Sequence, residues 1–324
     1  MNMNTADLIK VRVAAKRLEC ADIAVFELQA VDGAPLPAFE AGAHVDVHLP
    51  GGLVRQYSLC NPPAERHRYC LGVLREPASR GGSWAMHEAV QQGDLLHISP
   101  PRNHFPLAAG DAPALLFAGG IGVTPILCMA EALAAAGRDF RLHYCTRSAA
   151  RTAFRDRLLA AAYAERVRFH FDDAPAAERL DIGAALAAAA PDSHLYVCGP
   201  KGYIEAVLAA ARAAGWAENR LHCEFFAAEV TPQAGDTAFD VRLASSGRVV
   251  HVAAAQTVVA ALAAAGVEVP TSCEQGVCGT CLTRVLEGTP DHRDLYLTEE
   301  EQAAGDQFLP CCSRAKGGLL VLDL

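Results

Sequence analysis

The sequence predicts a multidomain protein of the mixed α/β and β class, built from three successive domains. Residues 1–108 carry short alternating segments, which are typical of an antiparallel β-barrel. Residues 109–228 alternate strands with helices, as in a parallel α/β domain. After a linker at residues 229–236, residues 237–324 combine a hairpin, one helix and a cysteine-rich loop, which predicts a small mixed sheet gripping a helix.

The composition excludes several classes of protein. The chain has 324 residues, of which 52% are hydrophobic and 20% charged, as in ordinary globular proteins. No apolar run approaches the roughly 20 residues of a membrane span, and the first ten residues lack the apolar core of a signal peptide. A cytoplasmic protein without membrane association is therefore expected. The net charge of −9 argues against nucleic acid as a partner.

The first chemical feature lies on a predicted strand of the barrel, at Arg55-Gln56-Tyr57-Ser58. On a strand Arg55 and Tyr57 share one face, and Ser58 lies on the other. A flavin needs an aromatic or apolar platform, a hydrogen-bond donor near its N5 atom and a cation for its phosphate. These three side chains offer all of them, although a tyrosine next to an arginine is also common on exposed strands.

The second feature is Arg80-Gly81-Gly82-Ser83, which precedes a segment with helical character. Backbone N–H groups at a helix start, together with a hydroxyl and an arginine, form a phosphate cradle. The same residues suit a simple glycine turn with a serine cap, so this alternative stays open.

The α/β segment contains a tight glycine turn directly after a short apolar strand. The turn runs from Gly119 to Pro125; Thr124 suits the N-cap of the following helix, and Pro125 suits its first position. The turn lacks the GxGxxG spacing. It nevertheless places bare backbone at a helix N-terminus, where a pyrophosphate would bind.

Three other strand ends point to the same edge of the predicted sheet. They are Thr146-Arg147-Ser148, Cys198-Gly199-Pro200 and Asp172-Asp173. Ligands of parallel sheets bind at the carboxyl ends of the strands, so a dinucleotide is expected here. The carboxylate of Asp173 would accept from a ribose hydroxyl and repel a 2′-phosphate, which favours NADH; a solvated loop explains the two aspartates equally well.

The most specific feature is the cysteine loop near the C-terminus. Cys273, Cys278 and Cys281 follow the spacing Cys-x4-Cys-x2-Cys, and Cys311 comes after 29 further residues. This is the spacing of a plant-type [2Fe-2S] cluster, in which four thiolates hold two irons. Glycines within the loop suit a backbone that folds tightly around a cluster with its N–H groups pointing inward.

Two alternatives concern the same thiols. A four-cysteine zinc site usually has two close pairs, each with two to four intervening residues, whereas here three cysteines are close and the fourth is remote. Cys312 competes with Cys311 as the fourth ligand. Neighbouring residues of an extended chain point in opposite directions, so only one of the two can face the iron. We expect Cys311 to be the ligand and Cys312 to be a packed thiol.

The cysteine-containing segment is also the acidic part of the chain. From residue 235 to the end there are 12 acidic and 6 basic residues, a net charge of −6. Either a solvated face or a docking surface for a basic partner explains this excess.

Together these features resemble the phthalate dioxygenase reductase family, which includes vanillate O-demethylase reductases. The resemblance covers nearly the whole chain in the order flavin domain, nicotinamide domain, ferredoxin domain. It rests on RQYSL, RGGS, GGIGVTP, CGP, EFF, SCEQGVCGTC, PDHRD and CCSRAKG. It implies FMN bound to the barrel, NADH on the α/β domain, and a C-terminal β-grasp ferredoxin domain that holds the [2Fe-2S] cluster.

The resemblance also assigns site residues. It implies FMN contacts by Arg55, Tyr57, Ser58, Arg80, Gly82 and Ser83, and we expect Gln56 and Gly81 of the same two motifs beside them. It implies nicotinamide-nucleotide contacts by Gly119, Gly120, Gly122, Thr124, Arg147, Cys198, Gly199, Pro200 and Phe226, to which the strand-end position adds Asp173. Ser58, Thr124, Cys198 and Phe226 are expected nearest to the reacting rings, with Phe226 as the aromatic residue that ends the nucleotide domain. The expected metal ligands are Cys273, Cys278, Cys281 and Cys311.

The implied activity is electron transfer from NADH through FMN and the cluster to an external protein, a Rieske-type oxygenase that acts on an aromatic or similar small compound. Two alternatives remain at this point. One is an FAD-dependent reductase with a different one-electron acceptor. The other is an iron-sulfur or zinc-binding module without turnover.

Overall fold

The computed structural model describes residues 8–77, 79, 81–226, 233 and 235–324. The chain packs as two compact units, of which the first extends to Glu224 and the second is Phe225–Leu324. Arg80 and most of the predicted linker lie outside the described residues. The first unit holds two sheets and the second holds a third sheet and a short two-stranded ribbon. The division into domains at residues 108 and 228 stays a prediction.

The first sheet is antiparallel, with the strand order β4-β3-β6-β1-β2-β5 and β7 paired to β3. A single bridge between Leu59 and Leu71 links the chain after β4 to β5, so the sheet closes on itself as the predicted barrel. A short helix, α1 (Gly82–Trp84), continues as a wider π-type turn over Ala85–Ala89. The strands are β1 (Ile9–Cys20), β2 (Ile23–Ala30), β3 (Ala43–His48), β4 (Val54–Ser58), β5 (Tyr69–Leu74), β6 (Leu95–Ile98) and β7 (Arg102–Asn103).

The second sheet has five parallel strands in the order β10-β9-β8-β11-β12. All six residues of the central strand β8 are buried, as expected for a parallel strand covered on both faces. Its strands are β8 (Ala114–Gly119), β9 (Phe140–Thr146), β10 (Val167–Phe171), β11 (His194–Cys198) and β12 (Leu221–Glu224). The helices are α2 (Val123–Ala135), α3 (Arg155–Ala160), α4 (Ile182–Ala187) and α5 (Lys201–Ala213).

The second unit is built on a mixed sheet in the order β14-β13-β19-β15-β17. Helix α6 (Val258–Ala264) packs on it, with Leu262 fully buried in the core. Thr298 and Glu301 form a capping box at the start of α7 (Glu299–Ala304). The strands are β13 (Phe239–Leu243), β14 (Val249–Val252), β15 (Thr283–Glu287), β17 (Gln307–Phe308) and β19 (Leu319–Leu322), with β16 (Pro290–Asp291) and β18 (Arg314–Ala315) as a separate ribbon.

One helix boundary differs from the prediction. Thr124 is not the N-cap of α2, because Gly120–Gly122 form a tight helical turn and the helix already begins at Val123. The Thr124 hydroxyl instead donates to the carbonyl of Ile121 at 3.1 Å. Within the described ranges, no helix has the length and apolar character needed to cross a bilayer.

Candidate functional site

The structure brings the two predicted flavin motifs together. Arg55 on β4 packs against Gly82 at the start of α1 so closely that a Cβ at position 82 would lie 2.4 Å from Arg55 Cγ. Gly81 occupies the N-cap with φ of 90°, a conformation that favours glycine. The Ser83 hydroxyl accepts from the Glu76 N–H at 3.2 Å. A cation thus lies against a glycine-rich turn with bare backbone, an arrangement that suits a phosphate.

The side chains between Arg55 and Ser58 have different surroundings. Burial raises the pKa of Tyr57, so its phenol remains neutral. Gln56 donates to Asp46 Oδ1 at 3.0 Å, and Asp46 also pairs with Arg102 at 2.5 Å. The Gln56 amide therefore belongs to a polar network inside the barrel sheet, and the cofactor role predicted for Gln56 stays a prediction.

The glycine loop and the Cys198-Gly199-Pro200 segment meet at the carboxyl edge of the parallel sheet. A Cβ at Gly122 would lie 2.3 Å from the carbonyl oxygen of Cys198, and one at Gly119 would lie 2.9 Å from the Tyr203 ring. Only glycines allow this approach. The Tyr203 hydroxyl donates to Cys145 Sγ at 3.5 Å, so this ring, which the sequence analysis missed, spans three strand ends.

The remaining predicted nucleotide contacts lie at neighbouring strand ends. Arg147 and Asp173 are both exposed, and the Asp173 N–H donates to the Arg147 carbonyl at 3.3 Å. They therefore stand side by side beyond β9 and β10. Phe226 belongs to the second unit, and its predicted place beside the reacting rings stays a prediction.

The sequence analysis also missed a buried acid, Glu224, at the end of β12. Ser58 of the barrel donates to Glu224 Oε2 at 3.4 Å, so the pair joins the two halves of the first unit. Burial raises the pKa of Glu224 to about 8, and the Ser58 hydrogen bond lowers it only partly. The signal available in the sequence was a carboxylate at the end of a strand, next to Cys198 in the neighbouring strand.

Burial also raises the pKa of Cys198 well above its ordinary value, with the nearby Glu224 as a further cause. Cys198 is therefore a neutral thiol at physiological pH. Ser58, Cys198 and Glu224 together give this part of the site polar groups that carry no charge at neutral pH.

In the second unit the predicted ligands form two thiol pairs. Cys273 hydrogen-bonds to Cys278, and Cys281 hydrogen-bonds to Cys311. In each pair the pKa of one thiol is lowered. The hydrogen bond with Cys273 lowers the pKa of Cys278, and hydrogen bonds with Cys281 and then Cys312 lower the pKa of Cys311.

The paired arrangement fits a cluster of two irons. Four cysteines hold two irons, so two thiolates belong to each iron, whereas a single zinc ion needs all four around one centre. In the part of the chain that the structure describes, no three Cys, His, Asp or Glu side chains are placed to hold one metal ion. Backbone N–H groups of Gln275 and Thr280 point at thiol sulfurs at 3.3 and 3.5 Å, as expected for a cluster loop.

The loop contains a further sign of a missing acceptor. Ser272 is buried, and its hydroxyl has no hydrogen-bond partner among the described atoms, although Ser272 directly precedes Cys273. A cluster sulfur would supply that acceptor. Gly279 has φ of 69°, and a Cβ there would lie 2.3 Å from the Tyr296 ring, so the loop has no room for a side chain at this position. The residues present therefore fit a [2Fe-2S] cluster.

The backbone at Cys311 and Cys312 differs from the predicted extended segment. Cys311 and Cys312 lie in a turn rather than an extended segment, because the N–H groups of Cys312 and Ser313 both bond to the Leu309 carbonyl. The two thiols consequently contact each other instead of pointing apart. Cys312 Sγ also lies 3.7 Å from the Leu309 oxygen, and Cys311 is the one that pairs with Cys281.

Comparisons with known proteins agree with this geometry. The 2Fe-2S iron-sulfur cluster binding domain family matches residues 241–316, and the oxidoreductase NAD-binding domain family matches residues 116–209. The chain is 57% identical over 317 residues to the vanillate O-demethylase oxidoreductase of Pseudomonas sp. (strain HR199 / DSM 7063), covering 98% of this chain and 100% of that protein. It is 40% identical to the phthalate dioxygenase reductase of Burkholderia cepacia, covering 98% and 97%.

A solved structure shares the whole architecture. The structure described as phthalate dioxygenase reductase, a modular structure for electron transfer from pyridine nucleotides to [2Fe-2S], superimposes with a TM-score of 0.80 at 40% identity over 98% of both chains. The antiparallel barrel, the parallel α/β domain and the C-terminal ferredoxin-like domain are confirmed by this match. The chain therefore belongs to the phthalate dioxygenase reductase family, and it is an NADH-dependent oxidoreductase that uses FMN and a [2Fe-2S] cluster and serves an oxygenase partner.

Proposed function

We propose that the oxygenase partner is of the Rieske type and acts on a small aromatic acid, with vanillate as the first substrate to test. The support is the full-length similarity to vanillate O-demethylase oxidoreductases. The observation that carries the proposal is the presence of two thiol pairs, suited to a one-electron centre, in the same chain as a flavin cradle and a nucleotide edge. We also infer that the reductase works in the cytoplasm.

When bound, FMN accepts two electrons from NADH as a hydride and releases them singly, and the [2Fe-2S] cluster carries one electron at a time. The residues of the chain bind and orient these groups. Arg55, Gly82 and Ser83 would hold the phosphate of FMN, and Tyr57 would give its ring a neutral platform. The glycines of the Gly119–Gly122 loop would hold the pyrophosphate of NADH.

Ser58 and Glu224 set the electrostatics where the hydride moves. A hydride adds negative charge to its acceptor, so an ionised carboxylate in the same low-dielectric pocket would oppose the transfer. Glu224 retains its proton at neutral pH because it is buried. The pair can therefore offer hydrogen bonds without adding negative charge.

The first test is a spectrum of the purified protein before and after anaerobic NADH. The proposal expects flavin and iron-sulfur bands that both bleach, and FMN in the supernatant after denaturation. Protein of full stability that has the flavin but binds no iron after anaerobic reconstitution with iron and sulfide would contradict it.

The second test supplies a partner. The reductase, NADH, oxygen and vanillate are combined with a Rieske-type vanillate demethylase oxygenase. The balanced reaction is vanillate + O₂ + NADH + H⁺ → protocatechuate + formaldehyde + NAD⁺ + H₂O, so formaldehyde should appear in a one-to-one ratio with NADH consumed. A reductase that is competent with an artificial dye but reduces no Rieske oxygenase across a panel of aromatic-acid enzymes would refute the partner assignment.

A further inference from the structure

The barrel and the nucleotide domain meet at a glycine, Gly72 on β5. A Cβ at this position would lie 2.8 Å from Thr124 Cγ2 and 3.1 Å from Phe154 Cζ, whereas ordinary contact begins at 3.4 Å. The φ angle of Gly72 is not in the positive range. The backbone conformation therefore does not require glycine, and the lack of space does.

We propose that Gly72 is a spacer that sets the separation between the flavin barrel and the nucleotide domain, and so acts as a positioning residue for hydride transfer. The inference rests on the proposed placement of FMN on β4 and α1 and of NADH at the strand ends. Gly72 itself would contact neither FMN nor NADH. It acts through Thr124 and Phe154.

The far side of the contact is stiff. Phe154 is 1% exposed and has φ of 57°, a left-handed conformation that is unusual for a bulky residue. Its N–H donates to Glu19 Oε1 of the barrel at 2.9 Å. One turn on, Arg157 donates to the barrel carbonyl of Cys60 at 3.1 Å. Because Phe154 is held from both sides, it cannot retreat to make room at Gly72.

The near side connects to the nucleotide loop. Thr124 is 2% exposed and lies at the start of α2, two residues after Gly122. Gly122 in turn rests on the carbonyl of Cys198. A shift of Thr124 would therefore carry the nucleotide-binding loop with it, while the flavin cradle stays with the barrel. Hydride transfer needs the reacting atoms about 3–3.5 Å apart, and a displacement of about 1 Å can slow such a step about 100-fold.

The test is Gly72→Ala, which adds only a Cβ. Extending 2.8 Å to an ordinary 3.4 Å contact requires a shift of about 0.6 Å. Stopped-flow measurement of flavin reduction by NADH should then show a rate lower by about tenfold. The long-wavelength charge-transfer absorbance with tetrahydro-NADH, an unreactive analogue, should weaken, while the FMN content and the dissociation constant of the analogue change less than about twofold.

Two companion variants isolate the contact. Phe154→Leu removes the ring atoms that would lie 3.1 and 3.3 Å from the added Cβ, so Gly72→Ala with Phe154→Leu should recover part of the charge-transfer absorbance. Gly183→Ala in α4 is the matched control, because an added Cβ there meets only Asp181 Oδ1 at 3.4 Å. That control should leave both readouts at their original values.

A folded Gly72→Ala protein with the native reduction rate and native charge-transfer absorbance would overturn the spacer role. If Gly72→Ala does not fold, Phe154→Leu removes the distal part of the ring from the same contact; unchanged charge-transfer absorbance in folded Phe154→Leu would overturn the proposal equally. An error in the proposed placement of FMN on β4 and α1 would be recognised separately, because Arg55→Ala would then keep its full FMN content.

Discussion

Two carboxylates, one in each unit, have pKa values that are shifted in opposite directions. In the first unit Glu224 is partly buried and its carboxylate accepts from the Ser58 hydroxyl, and burial raises its pKa to about 8. In the second unit Asp236 receives the two-pronged guanidinium of Arg293, at 2.5 and 3.0 Å, and this hydrogen-bonded contact lowers its pKa to about 2. At neutral pH the first unit therefore holds a protonated, neutral carboxyl, whereas the second unit holds an ionised carboxylate paired with an arginine.

The difference is consistent with the proposed roles of the two units. Hydride transfer would add negative charge to the flavin, so a neutral acid beside it would oppose the transfer less than a carboxylate. In the second unit Arg293 ties Asp236 to Asp291, and its backbone N–H donates to Ser313, one residue past Cys312. The ion pairs thus fix the polypeptide beside the fourth predicted ligand. The following changes test this contrast, beginning with the largest effect.

Cys278→Ser should abolish reduction of the oxygenase partner while leaving flavin reduction by NADH intact. Loss of one thiolate removes half of a ligand pair, so the cluster absorbance and the reduction of an oxygenase partner should fall by more than about 100-fold. Flavin reduction by NADH should stay within about twofold, as followed by stopped-flow absorbance. Cys312→Ser is the control and should keep the cluster. Loss of flavin reduction in folded Cys278→Ser would show that the units do not act in series.

Glu224→Gln should remove a pH dependence from the first unit. In the native protein the raised pKa of Glu224 stabilises the fold below about pH 4.5, and this stability is lost as the pH rises toward 8. Between pH 5 and 8 the loss is roughly 3–4 kcal/mol. The measurement is denaturant unfolding followed by tryptophan fluorescence, because Trp84 and Trp216 both lie in the first unit.

In Glu224→Gln the pH-dependent part of that loss should disappear, whereas Glu205→Gln, on the exposed face of α5, should behave like the original protein. An equal pH slope in Glu224→Gln and the original protein would mean that this carboxyl is ionised when folded.

Arg293→Ala should act on the second unit with the opposite pH sign. The lowered pKa of Asp236 contributes stability above about pH 4, which is lost as the pH falls through about 2. The pair lies near the surface, where water screens it, so the expected loss at pH 7 is about 1–3 kcal/mol. Arg242→Ala, which breaks the exposed pair with Glu287, should cost less than about 1 kcal/mol.

The readout for these arginine variants is the visible circular dichroism of the cluster during denaturation. Arg293→Lys should recover only part of the stability, because lysine cannot form two parallel hydrogen bonds. Full recovery by lysine would argue that charge alone matters at this position.

Asp173→Ala should have the smallest effect, because this carboxylate is exposed rather than buried. Removing the repulsion of a 2′-phosphate should raise the ratio of kcat/KM for NADPH over NADH by about two- to fivefold, equivalent to about 0.4–1 kcal/mol. Steady-state kinetics with both nucleotides measure it, with Asp192→Ala as the exposed control. An unchanged ratio in Asp173→Ala would assign the aspartate to the solvated loop.

The sequence predicted the architecture well because its cues are local. The short alternating segments of the barrel and the all-apolar run of β8 each depend on neighbours within a few residues. The cysteine spacing is equally local for three of its four ligands. The fold class and the three kinds of sheet therefore followed from patterns of period two and 3.6.

What the sequence did not predict depends on distant contacts. Ser58 donates to Glu224, which lies 166 positions further along the chain. Gly72 of the barrel sheet packs against Thr124 in α2 and against Phe154, which precedes α3. Threonine is a common N-cap residue, but Thr124 lies inside α2, because the Gly120–Gly122 turn leads directly into a helix that begins at Val123. Cys311 and Cys312 lie in a turn because the N–H groups of Cys312 and Ser313 donate to the Leu309 carbonyl. Periodicity carries no information about such pairings.

The pairing of the four cluster thiols has a practical consequence. The predicted ligands are grouped two by two, Cys273 with Cys278 and Cys281 with Cys311, and none of the cysteines in the described ranges is in a disulfide. Oxygen can remove two electrons and two protons from such a pair, because a sulfur that is oxidised first has the partner thiolate beside it to complete the disulfide. Exposure of the polypeptide to air before iron arrives would therefore lock both ligand pairs, and only a reductant would make the protein competent again.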